Sequence, residues 1–575
     1  MKRALAVLLL ISAGVSAWIW LRPAPGPRGP SITERSAQEP VQAAPRLSRR
    51  LIASEDLPPA GSRSLFDHLV AQNEGLPYPF EKLVAMLQKQ DPEGRMPVTL
   101  MIPQGRSLLK AQADFHHPRV LVAADFQAPG SPASLGLAPR GQLFLGFVEN
   151  ANEIEVLSYN EAAGRFEFQL VQDYSATGAR RIVYARRAVC TTCHQGGTPI
   201  FPQRPWAETN GQPEIAARIV AARGPAPYLG MPAAQPLGAP ERFDELTDTG
   251  AFVAVTQQLW IDACGAEAAG AACRRLMLKL ALRYLSDPGS FDADGAEAAQ
   301  LRQLQAAAWP PEGIAVPESD LRNRDPLAEQ RGLRNRIRGW FTPAPKPGEG
   351  ARNNDDLVAF DRLPKLPATL DPVTPRPPKR LLTAHDIDGV YGLAALFSDG
   401  DRTRLEQAGG IDAATLERTV ERLEPALFAP GPISRVKILQ GLLAALGAKD
   451  ILAYCCLNTA EMSPPQASGG PPLELSAHSP LQPFGEYCFS CHRGNPAKRL
   501  DFMGGRNEQE VLEQVKATAK IRDALDWDRY RGTDKQNTLM PPADSPQRAA
   551  LEAALKQDPK LLERMRDTVP GLFDF

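Results

Sequence analysis

Strand-type patterns dominate the chain between residues 120 and 185: residues 120–124 form an apolar run, and residues 165–174 alternate between apolar and polar positions. Short β-rich runs occur at 120–124, 142–149, 153–159, 165–174 and 181–185. The segment 160–164, between two of these runs, has the composition of a hairpin turn. Since side chains alternate between the two faces of a strand, this pattern predicts a β-rich domain.

Helical spacing of apolar residues is found before and after the β-rich region. It occurs in places over 66–87 and at positions 276, 280 and 284, and two later stripes occupy 416, 420, 423 and 427 and then 436, 439, 443 and 446. Gly447 stands where a C-terminal helix cap belongs, and Ser545-Pro546 has the form of a helix start. The predicted fold class is therefore α+β, with a β-rich N-terminal domain followed by an all-α C-terminal region.

Proline-rich and apolar segments predict the domain boundaries. Residues 1–21 combine Lys2 and Arg3 with an apolar run, as in a signal peptide or an N-terminal anchor. Residues 22–60 are predicted to form a disordered linker, and 343–380 a second, proline-rich linker. The folded parts are then 61–342, 381–478 and 479–575. The N-terminus predicts a periplasmic location, with the alternative of a membrane tether left open.

Charge and cysteine content narrow the function classes. Lys+Arg number 65 and Asp+Glu 66, so no basic excess suggests a nucleic-acid partner. Histidine occurs only 7 times, and four of the 8 cysteines fall in two C-x-x-C-H units. Cys264 and Cys273 enclose a short loop, and in an oxidising compartment we expect them to form a disulfide. The pairing of the adjacent Cys455 and Cys456 is left open.

The two C-x-x-C-H units predict covalent haem attachment. Two thiols three positions apart can both bond the same porphyrin, and the histidine that follows them then lies under its iron. A zinc site would need further ligands nearby, and a redox cysteine pair has no need of the histidine. The chain is thus expected to carry two covalently bound haem c groups, attached at Cys190, Cys193 and His194 and at Cys488, Cys491 and His492.

The C-terminal part, over 479–575, resembles a class I cytochrome c domain. The run L-M-P-P at 539–542 follows His492 as that family's distal-ligand segment follows its proximal histidine. The resemblance implies His492 and Met540 as the axial ligands, with Met503 as the second choice, and such thioether ligation suits electron transfer. Pro480 and Pro483 leave little room for the helix that usually precedes the motif.

The distal ligand of the first haem is less certain from the sequence. The unit follows a predicted strand, and the nearest downstream Met-Pro pair is Met231-Pro232. Met231 is therefore the candidate iron ligand opposite His194. The competing residues are Met96, His68, His116, His117 and His385, and an open site is a further alternative.

Three functions fit these features, and whether the protein is an enzyme is left open. The first is a periplasmic di-haem c-type cytochrome that transfers electrons to or from a redox protein. The second is a di-haem oxidoreductase with an open first haem, because the paired motifs loosely resemble bacterial di-haem cytochrome c peroxidases and latex-cleaving di-haem oxygenases. The third is a binding module built on the β-rich domain. The oligomeric state is not predicted.

Overall fold

The computed structural model describes residues 56–73, 75–103, 113–128, 134–191, 193–234, 238–323, 376–409, 412–448, 453–454, 459–468, 473, 475–493, 501–533, 536–542 and 545–569. The predicted signal or anchor over 1–21, most of the predicted linker 22–60, and Cys455 and Cys456 lie outside these residues. Among the described residues, no helix combines the length and the apolar character needed to cross a membrane.

The chain is a mixed α and β structure. The described helices are α1 Leu65–Gln72, α2 Phe80–Gln90, α3 Arg187–Cys190, α4 Pro213–Arg223, α5 Ala239–Gln258, α6 Ala268–Ser286, α7 Ala296–Ala308, α8 Asp388–Ala395, α9 Asp399–Gln407, α10 Ala413–Glu421, α11 Arg435–Ala445, α12 Gln482–Tyr487, α13 Phe489–His492, α14 Glu508–Ala517, α15 Lys520–Ala524, α16 Trp527–Tyr530, α17 Pro546–Gln557 and α18 Leu561–Asp567. The described strands are β1 Val98–Ile102, β2 Arg119–Ala123, β3 Ser134–Leu135, β4 Leu143–Val148, β5 Glu153–Asn160, β6 Arg165–Gln172, β7 Arg181–Tyr184, β8 Phe201–Pro202, β9 Ile314–Val316, β10 Asp320–Leu321, β11 Arg380–Leu382 and β12 Ala453–Tyr454.

A six-stranded antiparallel sheet forms the centre of the N-terminal half, in the order β1-β2-β4-β5-β6-β7. Five of its strands are those that the β-rich runs predict, and the β5–β6 hairpin turns at the predicted segment 160–164. The prediction of a β-sheet in the N-terminal half is therefore confirmed. Strand β1 was not singled out from the sequence.

The two faces of the sheet are covered by different helices. Helix α2 covers one face, where Phe80 stacks on Phe147 with ring centroids 4.6 Å apart. Helix α5 covers part of the opposite face, where the rings of Phe144 and Phe243 are 5.9 Å apart. Both faces are thus buried, which explains why the strands are apolar on both sides at their centres.

Buried apolar side chains form two separate cores. The larger contains residues from Leu65 to Leu443, and the smaller contains residues from Leu481 to Val569. Strand β11 pairs with β9, so the end of the predicted linker 343–380 is joined to the preceding part of the chain. The linker therefore connects two parts of one core, whereas the boundary near residue 479 falls between the two cores.

The later helices follow the predicted pattern with one exception. Gly447 has φ 82°, as expected of a C-terminal cap, and the Ser545 side chain accepts a hydrogen bond from the N–H of Arg548 at the start of α17. The stripe at 416–427 is not one helix, because α10 ends at Glu421 and a 3-10 turn begins at Pro425. Proline has no N–H to donate and does not continue an α-helix.

The predicted disulfide between Cys264 and Cys273 is present, with Cα atoms 5.5 Å apart. It closes the loop between the π-helical turn Leu259–Ala263, which ends α5, and helix α6. Both cysteines are buried in the larger core, whereas residues 266–269 of the loop are exposed.

Candidate functional site

The first C-x-x-C-H unit folds into a single helical turn at the end of strand β7. The backbone N–H groups of Cys193 and His194 donate to the carbonyl of Cys190 at 3.2 and 2.9 Å. Residues three apart in a helix lie on the same side, so the turn directs both cysteines of the unit to one side. The entry from a strand, rather than from a long helix, agrees with the sequence pattern.

The second unit has the same backbone hydrogen bonds. The N–H groups of Cys491 and His492 donate to the carbonyl of Cys488 at 3.1 and 3.0 Å. Helix α12, which precedes it, is only six residues long, with Pro483 in its first turn. Two units far apart in the sequence thus have one local geometry.

The four cysteines of the two units, all among the described residues, are not joined in disulfides. Burial raises the pKa of the Cys488 thiol to about 12, and it also raises the pKa of the Cys190 thiol above its ordinary value. The neutral thiols are therefore the stable form of both groups at neutral pH.

The imidazole of His194 is held in the tautomer that a metal ligand needs. Its Nδ1 lies 2.7 Å from the carbonyl oxygen of Thr198. A carbonyl oxygen can only accept, so Nδ1 carries the proton and Nε2 keeps its lone pair. Burial lowers the pKa of His194 to about 4, which keeps the ring neutral. Gly197, with φ 65°, makes the turn that brings this carbonyl back to the ring.

The ring of His194 also packs on the central sheet. Its centroid is 5.4 Å from that of Phe168 on β6. Phe168 and Phe144 are both cross-strand partners of Leu157, so they lie on the same face of the sheet. The first unit therefore lies against the face that α5 covers in part.

His492 lies in the smaller core region. Its ring centroid is 4.2 Å from that of Phe502, and its carbonyl accepts a hydrogen bond from the N–H of Met503 at 2.9 Å. Met503 is 2% exposed and belongs to the smaller core together with Cys488. The second-choice ligand of the sequence analysis is therefore a core residue close to this unit.

Met540 lies in a loop that is fixed by several hydrogen bonds. Its N–H donates to the carbonyl of Ala524 at 2.9 Å, and its carbonyl accepts from the indole of Trp527 at 3.0 Å. The next carbonyl, of Pro541, accepts from the guanidinium of Arg548 at 3.1 Å. The Met540 residue itself is half-buried. The loop thus has a defined backbone, and ligation by Met540 stays a prediction.

Met231 is fully buried in the larger core. Its backbone exchanges two hydrogen bonds with that of Tyr228, at 2.8 and 2.9 Å. Next to it, a Cβ at Gly230 would lie 3.2 Å from the Cβ of Glu81 in helix α2. The chain next to Met231 thus approaches helix α2, which covers one face of the sheet, whereas His194 packs on the other face. Ligation of the first haem by Met231 stays a prediction.

The two C-x-x-C-H units meet in the fold although their first cysteines are 298 positions apart in the sequence. Cα atoms of helices α3 and α13 approach within 8 Å of each other. Asp56 lies at this junction: it accepts a hydrogen bond from the N–H of Arg187 at 2.8 Å and faces Arg186 at 3.7 Å. The positive charge of Arg186 lowers the pKa of the neighbouring Arg493, after the larger effect of burial.

Further arginines surround the first unit, and the sequence analysis did not identify them. Arg376 donates to the carbonyl of Cys193 at 3.0 Å, and its own N–H donates to the Gln195 side chain at 2.9 Å. Arg119 forms an ion pair with Glu155. After the larger effect of burial, the negative charge of Glu155 also raises the pKa of the Cys190 thiol. In the sequence, only Arg186 and Arg187, just before the motif, could have indicated a positively charged environment at this unit.

These residues fit a covalently bound haem at each unit. The four described cysteines are not joined in disulfides, the two cysteines of each unit lie on one side of a helical turn, and His194 presents an unprotonated Nε2. Comparison of the chain with protein-family models, with curated proteins and with solved structures gave no match.

Proposed function

We propose that this protein is a periplasmic di-haem c-type cytochrome that passes electrons between its two haem sites and a redox partner protein. The observation that carries the proposal is the meeting of helices α3 and α13, whose Cα atoms come within 8 Å. The two turns have the same backbone geometry and come from separate cores, so haems attached to them would lie near each other, as electron transfer between them requires.

Each site has the residues that a c-type haem requires. Such a haem supplies one-electron chemistry at its iron and is held by two thioether bonds and an axial histidine. Cys190, Cys193 and His194 serve the first site. The hydrogen bond from His194 to the Thr198 carbonyl fixes the ring and increases the donor strength of Nε2, as second-shell bonds do at metal sites.

At the second site Cys488, Cys491 and His492 have the same roles. Met540 is the proposed second axial ligand, because its loop is fixed by Trp527 through a hydrogen bond of 3.0 Å. Trp527 belongs to the same small core as Cys488, so the loop and the motif share one packing unit. The C-terminal region is thereby proposed to be a cytochrome c-like domain.

The first experiment counts haems. The full chain is expressed in a periplasm that carries out haem attachment, and the pyridine haemochrome is measured per chain. We expect two haems in the unmodified protein and one in each of two variants, Cys190→Ala/Cys193→Ala and Cys488→Ala/Cys491→Ala. The matched control is Cys264→Ala/Cys273→Ala, which removes two cysteines from a disulfide and should retain two haems. A protein without covalent haem contradicts the proposal.

The second experiment separates electron transfer from catalysis. Carbon monoxide, cyanide and peroxide are added to the purified protein while its spectrum is recorded. Two low-spin haems that ignore these ligands support the electron carrier. A high-spin first haem that binds them would instead identify a di-haem oxidoreductase.

The meeting of the two helices predicts that the haems influence each other. In each single-haem variant we expect the midpoint potential of the retained haem to differ from its value in the unmodified protein, because a neighbouring charge is removed. Identical potentials with and without the neighbour would contradict the proposed electron path between them.

A further inference from the structure

The loop that carries Met540 is anchored through its carbonyl groups. Pro541 and Pro542 have no backbone N–H, so neither residue can anchor the loop by donating a hydrogen bond. Two successive carbonyls instead accept from side chains. The Met540 carbonyl accepts from Nε1 of Trp527 at 3.0 Å, and the Pro541 carbonyl accepts from Nη1 of Arg548 at 3.1 Å. The loop therefore depends on side-chain donors from helices α16 and α17.

Arg548 joins the two sides of this anchor. Its guanidinium carbon lies 3.4 Å from the centre of the Trp527 ring, so one side chain contacts both the loop and the ring that holds Met540. Its Nε forms an ion pair with Glu552, one turn further along α17, at 3.1 Å. The Arg548 side chain is only 9% exposed. Stacking, ion pair and burial together fix the direction in which its planar guanidinium donates.

A second cation lies over the same ring without reaching the loop. The guanidinium carbon of Arg531 is 5.6 Å from the centre of the Trp527 ring. Among the described residues, no hydrogen bond joins the Arg531 side chain to Met540, Pro541 or Pro542. The two arginines thus share one aromatic partner, but only Arg548 holds a loop carbonyl. This difference makes them a matched pair for separating positioning from charge.

We propose that Arg548 is a positioning residue, which holds the Met540 loop in place for ligation and so keeps the second haem closed to small ligands. This inference rests on the proposed function, in which Met540 is the second axial ligand. A small ligand competes with the methionine, and its apparent affinity follows the fraction of molecules in which the methionine is displaced. A loop that is already held in one conformation loses little entropy on ligation, which keeps that fraction low.

The test measures how readily imidazole displaces the methionine in the full ferric holoprotein. The readout is the weak near-infrared absorption that depends on Met540, recorded while imidazole is added. Arg548→Met keeps an apolar side chain on the Trp527 ring but removes the donor to the Pro541 carbonyl. We expect half-displacement at about a tenfold lower imidazole concentration, because the loop leaves its ligating position more often. An unchanged concentration overturns the inference.

Two control variants separate positioning from charge and from general stability. Arg531→Met removes the other cation from the same ring. Met565→Ala removes a side chain that is 1% exposed in the same small core, and should lower the free energy of unfolding without touching the loop. Both variants should need the imidazole concentration of the unmodified protein. A decrease in either control as large as that in Arg548→Met would show a general effect and would overturn the inference.

Arg548→Lys keeps the test decisive if Arg548→Met does not fold. It retains the charge and one donor, but not the planar fork that reaches Glu552 and the Pro541 carbonyl together. We expect half-displacement at an intermediate imidazole concentration, and if Arg548→Met does not fold, an unchanged value in Arg548→Lys overturns the inference. If the absorption depends on Met540 but not on Arg548, only the inference fails. If Met540→Ala leaves the absorption in place, the proposed ligation itself fails.

Discussion

Met540 and Met503 occupy different environments although both lie in the C-terminal region. Met503 is 2% exposed and packed in the smaller core, whereas Met540 is half-buried in a loop held by its own backbone. The two residues therefore make a matched pair for testing the second site.

Met540→Ala should remove the weak near-infrared absorption of methionine-ligated ferric haem and lower the potential of the second haem, because a thioether raises it. Met503→Ala should keep that absorption and instead reduce the free energy of unfolding by about 2–5 kcal/mol, as a core cavity does. Visible spectra and urea unfolding measure both effects. Absorption that survives in Met540→Ala and disappears in Met503→Ala would reverse the assignment.

Asp244 predicts a pH dependence that is independent of haem. Burial, with added repulsion from Asp320 and Asp248 and opposing attraction from Lys379 and Arg204, raises its pKa from 3.8 to about 6. The folded state therefore holds this proton more tightly than the unfolded chain, and stability should fall as the pH rises from about 4 to about 6.

Asp244→Asn removes this proton, so its unfolding free energy should fall less over the same pH range. Because the carboxyl is only half-buried, solvent reduces the effect to about 1 kcal/mol. Urea unfolding at a series of pH values measures it. Parallel pH profiles of the variant and the unmodified protein would show that Asp244 does not titrate as described.

At the scale of elements, the sequence predicts what depends on local pattern. The β-rich runs located five strands of the sheet, and Ser545-Pro546 located the start of α17. The stripe at 416–427 was misleading because apolar spacing continues through Pro425, where the backbone cannot remain helical. Strand β1 was not singled out from the sequence, although it is an apolar run buried at four of its five positions and so resembles strand β4, which was predicted.

The C-terminal end of helix α5 is buried, and the side chain of Arg274 donates hydrogen bonds to carbonyls there. The last turns of the helix leave carbonyls without intrahelical donors. Arg274, fully buried on α6, donates to the carbonyls of Trp260, Ile261, Gly265 and Phe428 at distances of 2.8, 3.1, 2.5 and 3.2 Å. One guanidinium thus joins the end of α5, the disulfide loop and the 3-10 turn that follows α10.

Arg274→Met should lower the free energy of unfolding by about 3 kcal/mol or more, because several buried carbonyls lose their donor together. Arg302→Met is the control, since Arg302 donates to a single carbonyl, that of Ala293, at 2.7 Å. We expect it to cost less than about 1 kcal/mol. Equal losses in urea unfolding would contradict the capping role of Arg274.

At the scale of the whole molecule, the main result is a contact that no local pattern contains. Each C-x-x-C-H unit is recognisable by itself, but their meeting depends on how two cores are placed, and 298 positions separate them. The residues at the junction, Asp56, Arg186 and Arg493, come from three distant parts of the chain. Asp56 belongs to the segment 22–60, which the sequence predicts to be a disordered linker. Its partners Arg186 and Arg187 are far away in the sequence, so no local pattern indicates these contacts.

The division into domains gives the last prediction. A protease site introduced within 343–375 would cut the chain between two parts of the larger core, which are also joined by the pairing of β9 with β11. We expect the two pieces to elute together in size-exclusion chromatography under native conditions and to separate only in urea, because neither piece can bury its apolar surface alone. The uncut chain is the control. Pieces that separate without denaturant would show instead that the linker joins independently folded domains.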